Sequence, residues 1–168
     1  MNGLITDDVN GDAFPDVLMV GNDYGNEVFT GRYDAFTGLI LFGDGKGNFK
    51  PASSAQTGFY VPGDAKSLVK IHAGSEELFV ASQNKDSLVV FAKAKSSESG
   101  KFVPEPLDVK VEWVFEDGQK QILELYYGSG YLSQSSRTVS IPSGVHEVIV
   151  HNSRGESRKV SADSLQLR

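Results

Sequence analysis

Apolar residues along this chain come in short bursts, many alternating with polar ones, and Gly, Asn or Asp separates one burst from the next. Alternation over so few residues predicts strands rather than helices. In the first part of the chain the bursts fall at residues 4–7, 16–20, 39–42, 67–71, 78–81 and 88–91. No window sustains the period of about 3.6 residues that a helix would need. A polar, proline-bearing stretch at 93–108, KAKSSESGKFVPEPLD, then interrupts the pattern and reads as a linker or domain boundary.

Beyond it, LDVKVEWVFEDGQKQILELYY is the clearest hairpin. Val109, Val111, Trp113 and Phe115 share one face of the outgoing strand, and Leu123, Leu125 and Tyr127 share a face of the return strand. Pairing Val111 with Leu123 and Val109 with Leu125 requires an odd loop. Glu116, Asp117 and Gly118 therefore form a three-residue turn, with Gly118 in the left-handed region where it meets least resistance. A second hairpin runs from HEVIVH through NSRG to ESRKV.

Composition sharpens this picture. The 168 residues suffice for one core or two small ones, and 18 glycines among many Val, Ile, Phe and Tyr favour an all-β chain rich in turns. With 22 acidic against 16 basic residues and no basic cluster, a phosphate backbone is a poor partner, so no nucleic acid is expected. The absence of cysteine removes disulfides and thiolate metal sites without fixing the compartment. The start, MNGLITDDVNG, has neither a basic nor an apolar leader region and does not read as a signal peptide. No run approaches the ~18 apolar residues of a membrane span, so this segment is not expected to insert. Met1 leads straight into strand-like sequence, as expected of a piece of a longer protein.

The densest chemistry lies in DDVNGDAFPD, residues 7–16. Asp8, Asn10, Asp12 and Asp16 stand at positions one, three, five and nine of a loop, with Phe14 at position seven. Alternate residues of a tight loop can turn oxygens toward one centre, and the Phe14 carbonyl would fill the gap between the side chains. Hard oxygen ligands in this number suit Ca²⁺. A solvated acidic turn is the alternative, though turn chemistry alone would not need three aspartates. The glycine-rich FGDGKGNF at 42–49 is expected to be a tight turn, because no helical pattern follows to complete a phosphate cradle.

The acidic loop is not an EF-hand, since Met19 stands where the closing Glu would be and no helices flank it. DVNGDAFPDVLMV instead resembles the calcium loop of FG-GAP, or VCBS, repeats, the blades of β-propellers such as the integrin α-subunit head. Its pattern, D-x-[DN]-x-D-G-x-x-D before an apolar strand, is reproduced except that Ala13 replaces the glycine. The resemblance implies Asp8, Asn10, Asp12 and Asp16 side chains and the Phe14 carbonyl as Ca²⁺ ligands. GRYDAFTGLILFGDGKGNF looks like the closing half of a blade. GDAKSLVKI and ELFVASQNKDSLVVF look like a next blade whose calcium loop has decayed to HAGSEE.

YGSGYLSQSSR, residues 127–137, is similar to the signature of the ASPIC/UnbV module, which follows FG-GAP repeats in the cartilage acidic protein family and in bacterial surface proteins. The module's tryptophan-proline-glycine turn is absent, and HNSRG stands near its place. These resemblances imply an all-β chain of about two propeller-type blades over 1–105 and a small β-sandwich-like domain over 106–168. A propeller needs 4 to 8 blades. The remaining blades of a parent chain are then expected partners, and the first blade should expose a sheet edge that a neighbour would cover.

Catalysis finds little support. The histidines of HEVIVH, His146 and His151, are five apart on a strand and so on opposite faces, whereas a zincin helix needs them four apart. Ser133 lies in a polar run suited to turns, and no nucleophile motif surrounds it. YGNEVFTGRY, residues 24–33, is a long excursion that suits either a partner-binding loop or a structural flap. The sequence thus predicts a non-enzymatic, calcium-stabilised adhesion or binding module. Its expected place is the extracellular face of a cell, its expected ligand a protein or carbohydrate, and a signal sequence is expected in the parent protein. The rival is the accessory end of a glycan hydrolase or lyase whose catalytic residues lie outside this chain.

Overall fold

The computed structural model of the chain describes residues 1–34, 37–74, 76–94, 100–130 and 132–160. It is mostly β: four antiparallel sheets and, among the described residues, a single four-residue helix. Two compact units separate, one of Met1–Ser96 with Gly128–Ser136, the other of Ser97–Tyr127 with Arg137–Arg168.

In the first unit, β1 (Gly3–Asp7), β2 (Asp16–Val20), β3 (Leu39–Gly43) and β4 (Phe49–Ala52) form one sheet in chain order. The short helix α1 (Ser54–Thr57) follows. Then β5 (Ala65–Ala73), β6 (Glu76–Gln83) and β7 (Val89–Ala92) form a second sheet, also in chain order. Alternation decides the faces: Leu18 and Val20 of β2 and Phe79 and Ala81 of β6 point inward and are buried. With Ile40, Leu68, Phe59 and Val61 they make one core shared by both sheets. The Asn2 amide fixes β1 beside β5 by donating to the Ala65 carbonyl at 2.8 Å and the Asn22 carbonyl at 3.1 Å. Strand β4 has no sequence counterpart among the predicted bursts, since FKPA carries a proline and buries only Ala52. Such a strand fits an outer position, where a missing N–H matters least.

The second unit is built from β8 (Gly100–Phe102), β9 (Asp108–Phe115), β10 (Lys120–Glu124), β11 (Val139–Ile141), β12 (Val145–Asn152) and β13 (Ser157–Lys159). Strands β10, β9, β12 and β13 form one sheet in that order, and β8 pairs with β11. Phe102, Val111, Trp113, Val139, Ile141, Val148 and Val150 give this unit its own core. The predicted hairpin register holds: Val111 pairs with Leu123, the Leu125 N–H donates to the Val109 carbonyl, and Gly118 has φ 83°. Val109 is nevertheless exposed, because the pairing of β9 with β12 slips between Lys110 and Asp108 and leaves it as the extra residue of a bulge. The second predicted hairpin is also present, β12 turning at Asn152–Gly155 into β13. Strand β8 lies inside the stretch that the sequence reads as linker.

Candidate functional site

The loop joining β1 to β2 carries the predicted ligands. Asp8 caps it from the inside: its Oδ1 accepts from the N–H groups of Gly11 at 2.7 Å and Asp12 at 3.1 Å, and its Oδ2 from Ala13 at 2.9 Å. Asn10 Oδ1 accepts from the Asp12 N–H at 3.0 Å, and its amide donates to Asp12 Oδ2 at 2.9 Å. Asp12 Oδ1 in turn accepts from the Phe14 N–H at 2.9 Å. Side chain after side chain closes a small ring on the backbone two to five residues on, the local chemistry that Asp and Asn favour in turns. Ala13 has φ 69°, the left-handed conformation that glycine takes freely. The residue that departs from the FG-GAP pattern thus keeps the backbone shape, at a cost of roughly 1–2 kcal/mol.

Asp16 opens β2 and is fully buried. Its Oδ2 accepts from the Val9 N–H and its Oδ1 from the Gly43 N–H, both at 2.9 Å, tying the loop to the end of β3. Burial pushes its pKa up, the two amides pull it down, and the charge of Asp12 adds a further upward push, leaving the net value raised. Among the described residues no Lys, Arg or His forms an ion pair with Asp8, Asp12 or Asp16. No group of three or more His, Cys, Asp or Glu side chains converges to hold a metal ion among them either. The structure therefore gathers Asp8, Asn10, Asp12 and Phe14 in one loop with Asp16 at its exit, and turns the side-chain oxygens of Asp8, Asn10 and Asp16 and one of those of Asp12 to backbone amides. As a donor set these hard oxygens suit Ca²⁺, and a buried carboxylate with no cationic partner leaves charge that a cation would offset.

The sequence did not point to a second cluster that begins one residue earlier. Asp7 closes β1 and meets Lys93 Nζ at 2.7 Å and the Lys70 ammonium at its other oxygen. Glu77 lies 3.0 Å from Lys93 Nζ and 3.9 Å from Lys70 Nζ, and 2.6 Å from His72 Nε2. His72 and Glu77 face each other across the β5–β6 pair, a register that could have exposed the cluster had the hairpin been aligned.

Other candidates resolve more simply. FGDGKGNF is the β3–β4 turn, with Asp44 Oδ1 accepting from the Lys46 and Asn48 N–H groups. His146 is exposed, and His151 Nε2 lies 3.7 Å from Glu112 Oε2. Ser133 faces Gly130 across a two-residue bridge. The 24–33 excursion is closed at its base by paired backbone bonds between Asp23 and Tyr33, and by Arg32, which stacks over Tyr24 and pairs with Asp34. Its tip displays Val28 and Phe29, 98% and 89% exposed. Of the ASPIC-like stretch, Ser135 Oγ accepts from the Lys70 N–H and the Ser136 N–H donates to the Lys70 carbonyl. Tyr131 lies outside the described residues.

In the second unit the ion pair is bidentate: Arg158 Nη1 and Nη2 reach the buried Asp108 carboxylate at 2.6 and 2.7 Å. Burial pushes the Asp108 pKa up, but Arg158 and the Glu105 N–H more than offset it and hold it below the usual range. Arg137 lies 4.2 Å over the Tyr127 ring and donates to the Asp108 carbonyl at 2.6 Å. No protein-family model matches the chain, and no curated protein matches it. The likeness to the FG-GAP and ASPIC/UnbV patterns rests on the quoted residues.

Proposed function

We propose that the chain is a calcium-stabilised extracellular binding or adhesion module, made of about two propeller-type blades and a small sandwich-like β domain from a larger surface or secreted protein. The observation that carries this reading is the Asp8–Asp16 loop. Three carboxylates, one of them buried, stand there with no Lys, Arg or His partner among the described residues, while the backbone is already curled around them. The four-stranded meander β1–β4 has the order and strand number that a blade would have, and β5–β7 has the same order with three strands.

In this reading Asp8, Asn10, Asp12, Asp16 and the Phe14 carbonyl would hold Ca²⁺, which would neutralise the loop. Asp16 anchors that loop to β3 through Gly43, so the charge balance of the loop bears on the sheet itself. The 24–33 loop, with its apolar tip on a braced base, is the surface offered for a protein or carbohydrate ligand.

The test is calcium titration by calorimetry, with thermal unfolding in calcium and in chelator, on the wild type and on Asp12→Ala. One equivalent should bind the wild type and stabilise it by about 2.7 kcal/mol at a hundred times Kd. Asp12→Ala should do neither. A wild type indifferent to calcium reduces the loop to a turn and removes the support for the module.

A further inference from the structure

We propose that Asp7 and Lys93 are the partners of a self-formed amide cross-link, with Glu77 as the group that carries the protons. The three side chains are 5%, 6% and 4% exposed, and the Lys93 amine touches both carboxyls, Asp7 Oδ1 at 2.7 Å and Glu77 Oε2 at 3.0 Å. An ammonium and a carboxylate do not condense in water, where both ions are well solvated. Burial penalises both charges, and a fixed contact removes the entropic cost of bringing the groups together. Lys70 sits on the second oxygen of Asp7, where it opposes the negative charge that develops when that carbon is attacked. His72 holds Glu77 from the far side, at 2.6 Å.

The step balances without any co-reactant. Glu77 takes one proton from the Lys93 ammonium, and the freed lone pair attacks Asp7 Cγ. Glu77 passes that proton to Oδ1, the second nitrogen proton follows, and the Cγ–Oδ1 bond breaks to release water. Oδ2 becomes the amide carbonyl, and Glu77 is left ionised as it began. Burial alone would lower the Lys93 pKa, but Asp7 and Glu77 more than offset it, so the charged contact pair is the resting state. The reaction then runs through the minor state with the proton on Glu77. Lys70 is more exposed and farther from Glu77, so Lys93 is the amine that reacts. The bond would join the end of β1 to the residue after β7, in a chain that has no cysteine for a disulfide.

The test is the intact mass of the purified full chain under denaturing conditions, followed by proteolysis. The wild type should be lighter than its sequence by one water and yield a branched peptide linking Asp7 to Lys93. Glu77→Gln, checked for its β signal by circular dichroism, should keep the full mass. A wild type at full sequence mass overturns the proposal. So does a link at Lys70, a water loss that maps to a succinimide at Asp44–Gly45 or Asp117–Gly118, or a folded Glu77→Gln that still cross-links. If Glu77→Gln does not fold, the wild-type mass and the branched peptide decide alone.

Discussion

Asp7 and Asp16 stand directly opposite each other on β1 and β2, both buried, and the molecule treats them in opposite ways. Asp7 is met by two ammonium groups. Asp16 is met by two backbone amides and no cation among the described residues. Like charges opposite one another in a sheet repel. One of the pair is neutralised from within the fold, and the other is left with its charge held by dipoles alone. A run of acidic residues therefore does not have one meaning: DD at 7–8 begins a lysine-paired cluster with its first member and an amide-bound loop with its second.

Removing the internal amine should break the contrast most severely. Lys93→Met removes the partner of the proposed bond together with the ammonium, leaves Asp7 and Glu77 buried with too little positive charge, and should cost at least the roughly 3–5 kcal/mol of breaking a buried pair. Urea unfolding at neutral pH reads this directly; a loss under about 1 kcal/mol, the range of a surface pair, would show that the cluster is solvated after all.

The other side of the comparison responds more weakly and with a pH signature. Asp16→Asn offers one oxygen to two amides, a loss of about 1–3 kcal/mol at its widest. Because the folded protein raises the Asp16 pKa, it binds that proton more tightly than the unfolded chain does. Stability from this group is therefore fully present below about pH 3.9 and is lost as pH rises through the folded value. In chelator the gap between wild type and Asp16→Asn should narrow over that window, and calcium should widen it again. Asp108 supplies the opposite sign: its pKa is held low, so its contribution is present at neutral pH and lost on acidification through the folded value. A gap that does not move with pH in chelator would mean that Asp16 is not desolvated.

The smallest effect should come from the loop's strained residue. Ala13→Gly relieves the left-handed conformation at φ 69° and should stabilise the protein by about 1 kcal/mol, less the added freedom of the unfolded chain. Differential scanning calorimetry in chelator would register it as a small rise in Tm. A fall would place the restraint elsewhere in the loop.

What could be read from the sequence was set by local chemistry. The β9–β10 hairpin was legible because its parity and Gly118 leave one register. The acidic loop was legible because Asp and Asn act on the backbone beside them. Strands β8 and β11, three residues each, are too short to show a period, and the proline in β4 hid it. The lysine cluster was hidden for another reason. Lys70 and Lys93 look like solvent-facing residues until β1, β5, β6 and β7 are brought together, and the carboxylate they share, Asp7, lies 63 and 86 residues away.

The first unit is not one continuous stretch of chain: residues 128–136 belong to it, and Ser135 and Ser136 satisfy both backbone groups of Lys70. During synthesis this unit can assemble its two sheets early but cannot complete until residue 136 has been made, by which time β9 and β10 have been synthesised as well. Closing that long-range contact costs more loop entropy than forming any of the hairpins. A fragment ending before that stretch would carry all seven strands of the unit and still leave the Lys70 edge of β5 unpaired, open to another chain.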